Sequence, residues 1–189
     1  MRALYASAAL AASAAHIPAP ALLPCDRRYL GDRVLHAIAM AVDSRSQVDR
    51  EIAPLVLGMR HLLTKLGGLG LAAPQVGSGF RVIVVSFERK VHALINPRIT
   101  WRSDETRVET EGCLSIPGFW TPMRRHTEIE VEFRDLYFNE ATTGRVTGLA
   151  AAVLQHEIDH LDGITIVDGL SRQQRRHAER IVGKARGAA

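Results

Sequence analysis

"VLQHEIDHLDG", residues 153–163, sets an imidazole, a carboxylate and a second imidazole into an otherwise apolar helix. His156 and His160 are four apart and so share one helix face. Leu154, Ile158 and Leu161 fall roughly opposite and can anchor that helix in a core. Two histidines and a glutamate are costly to bury unless a cation organises them. The H-E-x-x-H pattern therefore reads as two metal ligands, with Glu157 close enough to handle the protons of a water. The competing reading is a pair of core histidines bonded to backbone, with Glu157 a solvated charge. The apolar flank "GLAAAVL" (148–154) favours the metal.

A catalytic metal site takes three protein ligands and keeps one position open. The chain offers three places to look for the third. One zinc-protease pattern continues as H-E-x-x-H-x-x-G-x-x-H; Gly163 fits it, but Ile166 stands where the last histidine belongs. Another protease type uses a downstream glutamate. Glu179 is at about the right distance, roughly twenty residues, but it lies among arginines that suit a solvated partner. The third candidate is Cys113 in "ETEGCLSIPGF" (109–119), whose thiolate is a strong ligand for zinc or ferrous iron.

The surroundings are those of an ordinary globular protein. The 189 residues are 47% hydrophobic and 23% charged, enough for one domain with a real core. No apolar run is long enough to cross a membrane as a helix. Two cysteines, Cys25 and Cys113, make no disulfide framework and fit a reduced compartment. Residues 1–25 are Ala-rich, with Arg2 and no acid before the chain reaches Asp26. They half fit a secretory signal, carry too little arginine for a transit peptide, and equally suit an upstream-extended start. They are set apart from a single domain over 26–189.

Residues 46–66 carry Ile52, Leu55, Val56, Met59, Leu62, Leu63 and Leu66 at helical spacing, with Pro54 marking a start or a kink and Gly67-Gly68 a stop. "RVIVVSF" (81–87), "HALINP" (92–97) and "RITWR" (98–102) are strand-like. "TEIEVEFRD" (127–135) alternates Ile129, Val131 and Phe133 with Glu128, Glu130 and Glu132, the mark of a half-buried antiparallel strand. "NEATTG" (139–144) reads as a turn before a returning strand. Helices over 149–161 and 171–186 complete the order, with Gly163 stopping the first. The expected class is α+β, mostly antiparallel strands packed around a central metal-binding helix, with a C-terminal helix.

Three motifs now stand in order: "GLGLAAPQ" (68–75), "EGCLS" (111–115) and "QHEIDHL" (155–161). Together they resemble the peptide deformylase family, whose patterns G-x-G-x-A-A-x-Q, E-G-C-L-S and Q-H-E-x-D-H-L they match. The resemblance runs from about residue 29 to the end and implies an α+β fold. It also implies hydrolysis of the N-formyl group from formyl-methionyl ends of nascent peptides, giving formate and a free amine. By the resemblance, Cys113, His156 and His160 hold one divalent metal ion, with Glu157 as general base and acid. The backbone N–H of Leu114 and the side-chain amide of Gln75 are then the donors to the oxyanion. Ferrous iron is implied in the cell, with zinc or nickel replacing it in preparations. Glu111, Gln155 and Asp159 recur in the motifs and are read as groups holding loop and helix in place.

Gly68, Leu69, Gly70 and Gly112 are read as backbone that approaches an extended substrate, where Gly68 and Gly70 permit tight turns. No G-K-[ST] follows, so the loop is not a phosphate cradle. Leu149, Ala152 and Val153, one or two turns before His156, are candidates for a methionine slot, with plain core packing as the alternative. Trp120 departs from the family pattern, which carries an arginine seven residues after the cysteine.

Residues 168–189 hold six Arg/Lys against Asp168 and Glu179, as much net positive charge as the whole chain's +4. Arg172, Arg176, Arg180 and Lys184 are each four apart and form one basic stripe. It reads either as a solvated face suited to a helix C-terminus or as a surface docking on ribosomal RNA near the nascent-chain exit. The expected protein is a cytoplasmic monomer, with organellar or other targeting by residues 1–25 left open.

Overall fold

The computed structural model describes residues 25–187. Nearly all of the segment set apart at 1–25 lies outside the described residues, which begin at Cys25.

The first helical stretch starts as α1 (Arg45–Gln47), widens through a π-turn (Val48–Ile52) and continues as α2 (Ala53–Leu66). The widening ends where Ala53 N–H bonds back to Val48 C=O, just before Pro54, which has no N–H to give. Gly67 closes α2 in the left-handed conformation at φ 65°.

Seven strands follow and frame the central helix: β1 (Gly70–Ala72), β2 (Val82–Phe87), β3 (Lys90–Arg102), β4 (Thr106–Cys113), β5 (Ile116–His126), β6 (Glu128–Arg134) and β7 (Glu140–Thr147). They form a five-stranded sheet in the order β1-β2-β3-β6-β7 and a two-stranded ribbon, β4-β5, with every pairing antiparallel. α3 (Gly148–Leu161) and α4 (Arg172–Gly187) complete the described residues.

At β2 the sheet is buried on both faces, while β6 buries only the face of Ile129, Val131 and Phe133. Val82 and Val84 of β2 pack toward α2 with Leu55, Val56, Met59 and Leu63. Ile83 and Val85 point the other way, toward Ala151, Leu154, Ile158 and Leu161 of α3, beside Ile129, Val131 and Phe133. The unbroken apolar run of β2 is thus the sequence of a strand between two helices. A third cluster joins Cys113, Ile116 and Phe119 to Ile166, Val167 and the α4 residues Ala178 and Val182. α4 is therefore a structural wall behind the cysteine, and only its outer face is free.

Two sequence expectations need correction. "NEATTG" is not the turn: Glu140–Thr147 is strand, and the turn comes earlier, at 135–139. Asp135 sets it, because its Oδ1 accepts from Tyr137 N–H at 2.8 Å and Asn139 N–H at 2.9 Å, with Phe138 at φ 66°. The segments at 92–97 and 98–102 are one strand, β3, with a register shift between Ile95 and Arg98 that absorbs Pro97. Asn96, at φ 52°, ties that shift to Val42 through two 2.8 Å hydrogen bonds.

Burial predicts where truncation hurts. Leu154, 1% exposed against the sheet, costs about 2–5 kcal/mol of stability on replacement by Ala. Leu149, 65% exposed one and a half turns earlier, costs about 0.5 kcal/mol or less. Urea unfolding of the two variants measures both.

Candidate metal centre

Three elements converge on one point. Cys113 ends β4, just before the Leu114-Ser115 turn into β5, while His156 and His160 come from α3. The candidate donor atoms of Cys113, His156 and His160 all lie within 4.8 Å of one another, and all three residues are buried. Cys113 Sγ is 3.2 Å from His160 Nε2. Glu179 is exposed on α4, outside the group, and Ile166, though it shares the third apolar cluster with Cys113, offers no donor atom.

The surroundings orient the donors. His156 Nδ1 lies 2.9 Å from Glu111 Oε2, which leaves its Nε2 for a ligand. Arg125 grips Glu111 with two hydrogen bonds, Nε to Oε1 at 2.7 Å and Nη2 to Oε2 at 2.9 Å, and reaches Asp159 Oδ2 at 2.5 Å through Nη1. Burial pushes the Glu111 carboxyl up, but the hydrogen bonds from Arg125 and His156 outweigh it and hold the group at about 2. Gln155 braces α3 from another side: its Oε1 accepts from His126 N–H and its Nε2 donates to His126 C=O, both at 3.0 Å. The expectation that Glu111, Gln155 and Asp159 tie loop to helix thus has a geometric counterpart. Arg125, the cation that joins two of them, was missed, because the Pro- and Gly-containing β5 does not announce itself as a strand.

The electrostatics fit a cation. Burial opposes charge on His156, but the hydrogen bonds it donates to Cys113 and Glu111 prevail and hold its proton affinity well above the usual imidazole range. Burial, then the neighbouring His156, drives His160 well below it, so that ring stays neutral and able to ligate. Glu157 is 3% exposed and burial raises its carboxyl to about 7. Its Oε2 is one of three buried side-chain polar atoms without a hydrogen-bond partner among the described residues. An unpartnered carboxylate poised near neutrality beside three donors can exchange protons with a water.

Above the donors opens a cleft of about 530 Å³. Among the described strands β1 pairs only with β2 and β4 only with β5. Gly68, Leu69 and Gly70 line the cleft on the β1 side, and Gly112, Cys113 and Leu114 on the β4 side. Leu149, Ala152, Val153, His156 and Glu157 contribute from α3. Gln75 and His160 are each 1% exposed. Gln75 Nε2 sits 3.4 Å from Cys113 Sγ and 3.3 Å from Ser115 Oγ, while its Oε1 accepts from Ala72 N–H at 2.8 Å. Gly70 is required by space: a Cβ there would lie 2.6 Å from Glu157 Cγ. The glycine loop and the acid are thus in direct contact.

Residues 28–176 match the family model described as polypeptide deformylase. The chain belongs to the peptide deformylase family. It is 38% identical over 160 residues to the peptide deformylase of Treponema pallidum (strain Nichols), covering 85% of this chain and 96% of that one. The enzyme of Dictyoglomus thermophilum is 40% identical over 141 residues, 75% of this chain and 89% of its own. Among solved structures, the peptide deformylase of Legionella pneumophila superposes with a TM-score of 0.80 at 31% identity, over 88% of this chain and 97% of that one. A Synechococcus elongatus deformylase in complex with actinonin gives 0.77 at 35% identity, over 85% and 88%. Family membership makes the chain an enzyme of the deformylase hydrolases, a kinship consistent with removing formyl groups from nascent peptides. No helix among the described residues is long and apolar enough to cross a membrane.

The ion network gives a prediction specific to this deformylase. Arg125→Met leaves Glu111 and Asp159 without their shared cation, at a cost of about 3–5 kcal/mol in stability. It also loosens His156, weakening metal binding about 10–100-fold. Urea unfolding and competition with a chelator read the two effects separately.

Proposed function

We propose that this chain removes the N-formyl group from the formyl-methionyl ends of newly made polypeptides, with Cys113, His156 and His160 holding the metal ion. The observation that carries the reading is the Oε2 of Glu157, without a partner among the described residues and buried next to a Cys-His-His donor set. The cleft between β1 and β4 takes the substrate as an added extended strand, hydrogen-bonded to backbone around Gly68, Leu69, Gly70 and Gly112. Leu149, Ala152 and Val153 face the methionine side chain. When bound, the divalent ion supplies Lewis acidity, lowering the pKa of water and polarising the formyl oxygen.

Glu157 then performs the proton transfers. It accepts a proton from the attacking water and delivers it to the leaving nitrogen as the C–N bond breaks, so that one water yields formate and a free amine. The positive charge of the ion offsets the burial that raises its carboxyl. The N–H of Leu114 and the amide of Gln75 donate to the oxyanion, each worth about 10²–10³ in rate. The ion is ferrous iron, with zinc or nickel as substitutes. The soft thiolate with two imidazoles suits iron or zinc, and a thiolate on ferrous iron would be open to oxidation, which is why the test uses anaerobically purified protein.

A formate-release assay on formyl-Met-Ala-Ser, with metal analysis of anaerobically purified protein, tests this. Cys113→Ala abolishes both metal and activity, whereas Glu157→Ala keeps the metal and loses about 10²–10⁴ in rate. Full metal content in Cys113→Ala, or undiminished formate release in Glu157→Ala, would refute the assignment.

We further propose that the enzyme works as a cytoplasmic monomer docking on ribosomal RNA through α4. Arg172, Arg176, Arg180 and Lys184 are all exposed there, while Arg186 is engaged by Asp32 at 2.8 Å. Cutting off α4 would strip the cluster behind Cys113, so the test is charge reversal at those four positions. Ribosome cosedimentation should fall and the wild-type binding should weaken steeply with salt; equal cosedimentation of the variant would refute the docking.

A further inference from the structure

We infer that Trp120 is a specificity-determining residue of the cleft, selecting an apolar or aromatic side chain immediately after the methionine. The inference rests on the deformylase reading above. Along β5, Phe119 and Thr121 turn inward and are buried, so Trp120 points outward and is 66% exposed. A tryptophan left that far in water on a two-stranded ribbon contributes little to folding. It is nevertheless held in place: it stands opposite Gly112 in the β4-β5 register. The ring packs on that glycine so closely that a Cβ would lie 3.0 Å from both Cε3 and Cζ3. Gly112 adjoins Cys113, and both line the cleft with Trp120. The indole is thus a fixed aromatic surface about one strand step from the reacting centre.

Strand geometry indicates what meets it. Side chains of an extended peptide alternate between faces. If the methionine turns toward Leu149, Ala152 and Val153 on α3, the next side chain turns away from α3, toward the cleft rim where Trp120 stands. An indole carries no charge and offers mostly apolar area. Of the two guanidinium groups lining the cleft, Arg107 pairs with Glu109, and Arg27 is turned onto Tyr29, bonding its hydroxyl at 2.5 Å and lying 4.6 Å over its ring. Selection through Trp120 therefore follows apolar contact.

The test is kcat/KM for formate release from formyl-Met-Phe-Ser, formyl-Met-Gly-Ser and formyl-Met-Glu-Ser, using the full metal-loaded chain. The wild type should prefer Phe over Gly by about two- to tenfold, the range of one aromatic contact, and Glu should gain nothing over Gly. Trp120→Ala should bring the Phe/Gly ratio to about one, mainly through KM, and Trp120→Phe should retain most of the preference. A wild type without preference, or an unchanged ratio in Trp120→Ala, would overturn the inference while leaving the deformylase reading intact. No formate from any of the three peptides would sink that reading and this one with it.

Discussion

The two hydrogen bonds between Arg125 and Glu111 set the geometry on which the rest depends. They fix one carboxylate at the end of a two-stranded ribbon, and that carboxylate fixes His156 on a helix from another part of the chain. Without the guanidinium, burial would favour a protonated Glu111, which makes a poorer acceptor for an imidazole N–H. With it, the carboxyl stays ionised and holds the His156 ring through Nδ1, which turns Nε2 toward Cys113. The same arginine reaches Asp159, so ribbon and helix are locked at two points one turn apart.

That lock works because the helix it grips is itself packed into the core. α3 lies against the inner face of the sheet through Leu154, Ile158 and Leu161, with Ala151 a turn earlier. α2 covers the opposite face, and α4 closes the space behind Cys113. Apolar burial supplies the stability, and the polar side of α3 is left for chemistry. The cost is visible at Glu157, whose Oε2 is buried without a partner and whose carboxyl is raised to about 7. An unsatisfied acid in a core is destabilising, and such groups persist where a site uses them.

Two glycines let the walls of the cleft close. Gly70 lets β1 touch Glu157, and Gly112 lets the Trp120 ring lie flat on β4. Any side chain at the first would displace the acid, and any at the second would lift the ring.

Much of this was legible in the chain itself. The spacing of His156 and His160, and the stripe of Leu154, Ile158 and Leu161, declare a buried helix with a candidate metal-binding side, because helical periodicity is local. The alternation in 127–135 declares a strand for the same reason, and three ordered motifs carried the family. The early turn at Asp135 and the single strand over Lys90–Arg102 escaped, since side-chain capping and a register shift leave weak local patterns. β4 and β5 escaped too, with their charges, prolines and exposed faces, and Arg125 with them. Residue spacing left Cys113 and Glu179 open as the third position, with Ile166 closing the histidine pattern, and only the fold settled which of the two lies beside the histidines. Convergence of a sulfur from a ribbon with rings from a helix 43 residues later is a long-range event. It is fixed by which faces the sheet buries, and no local pattern records that.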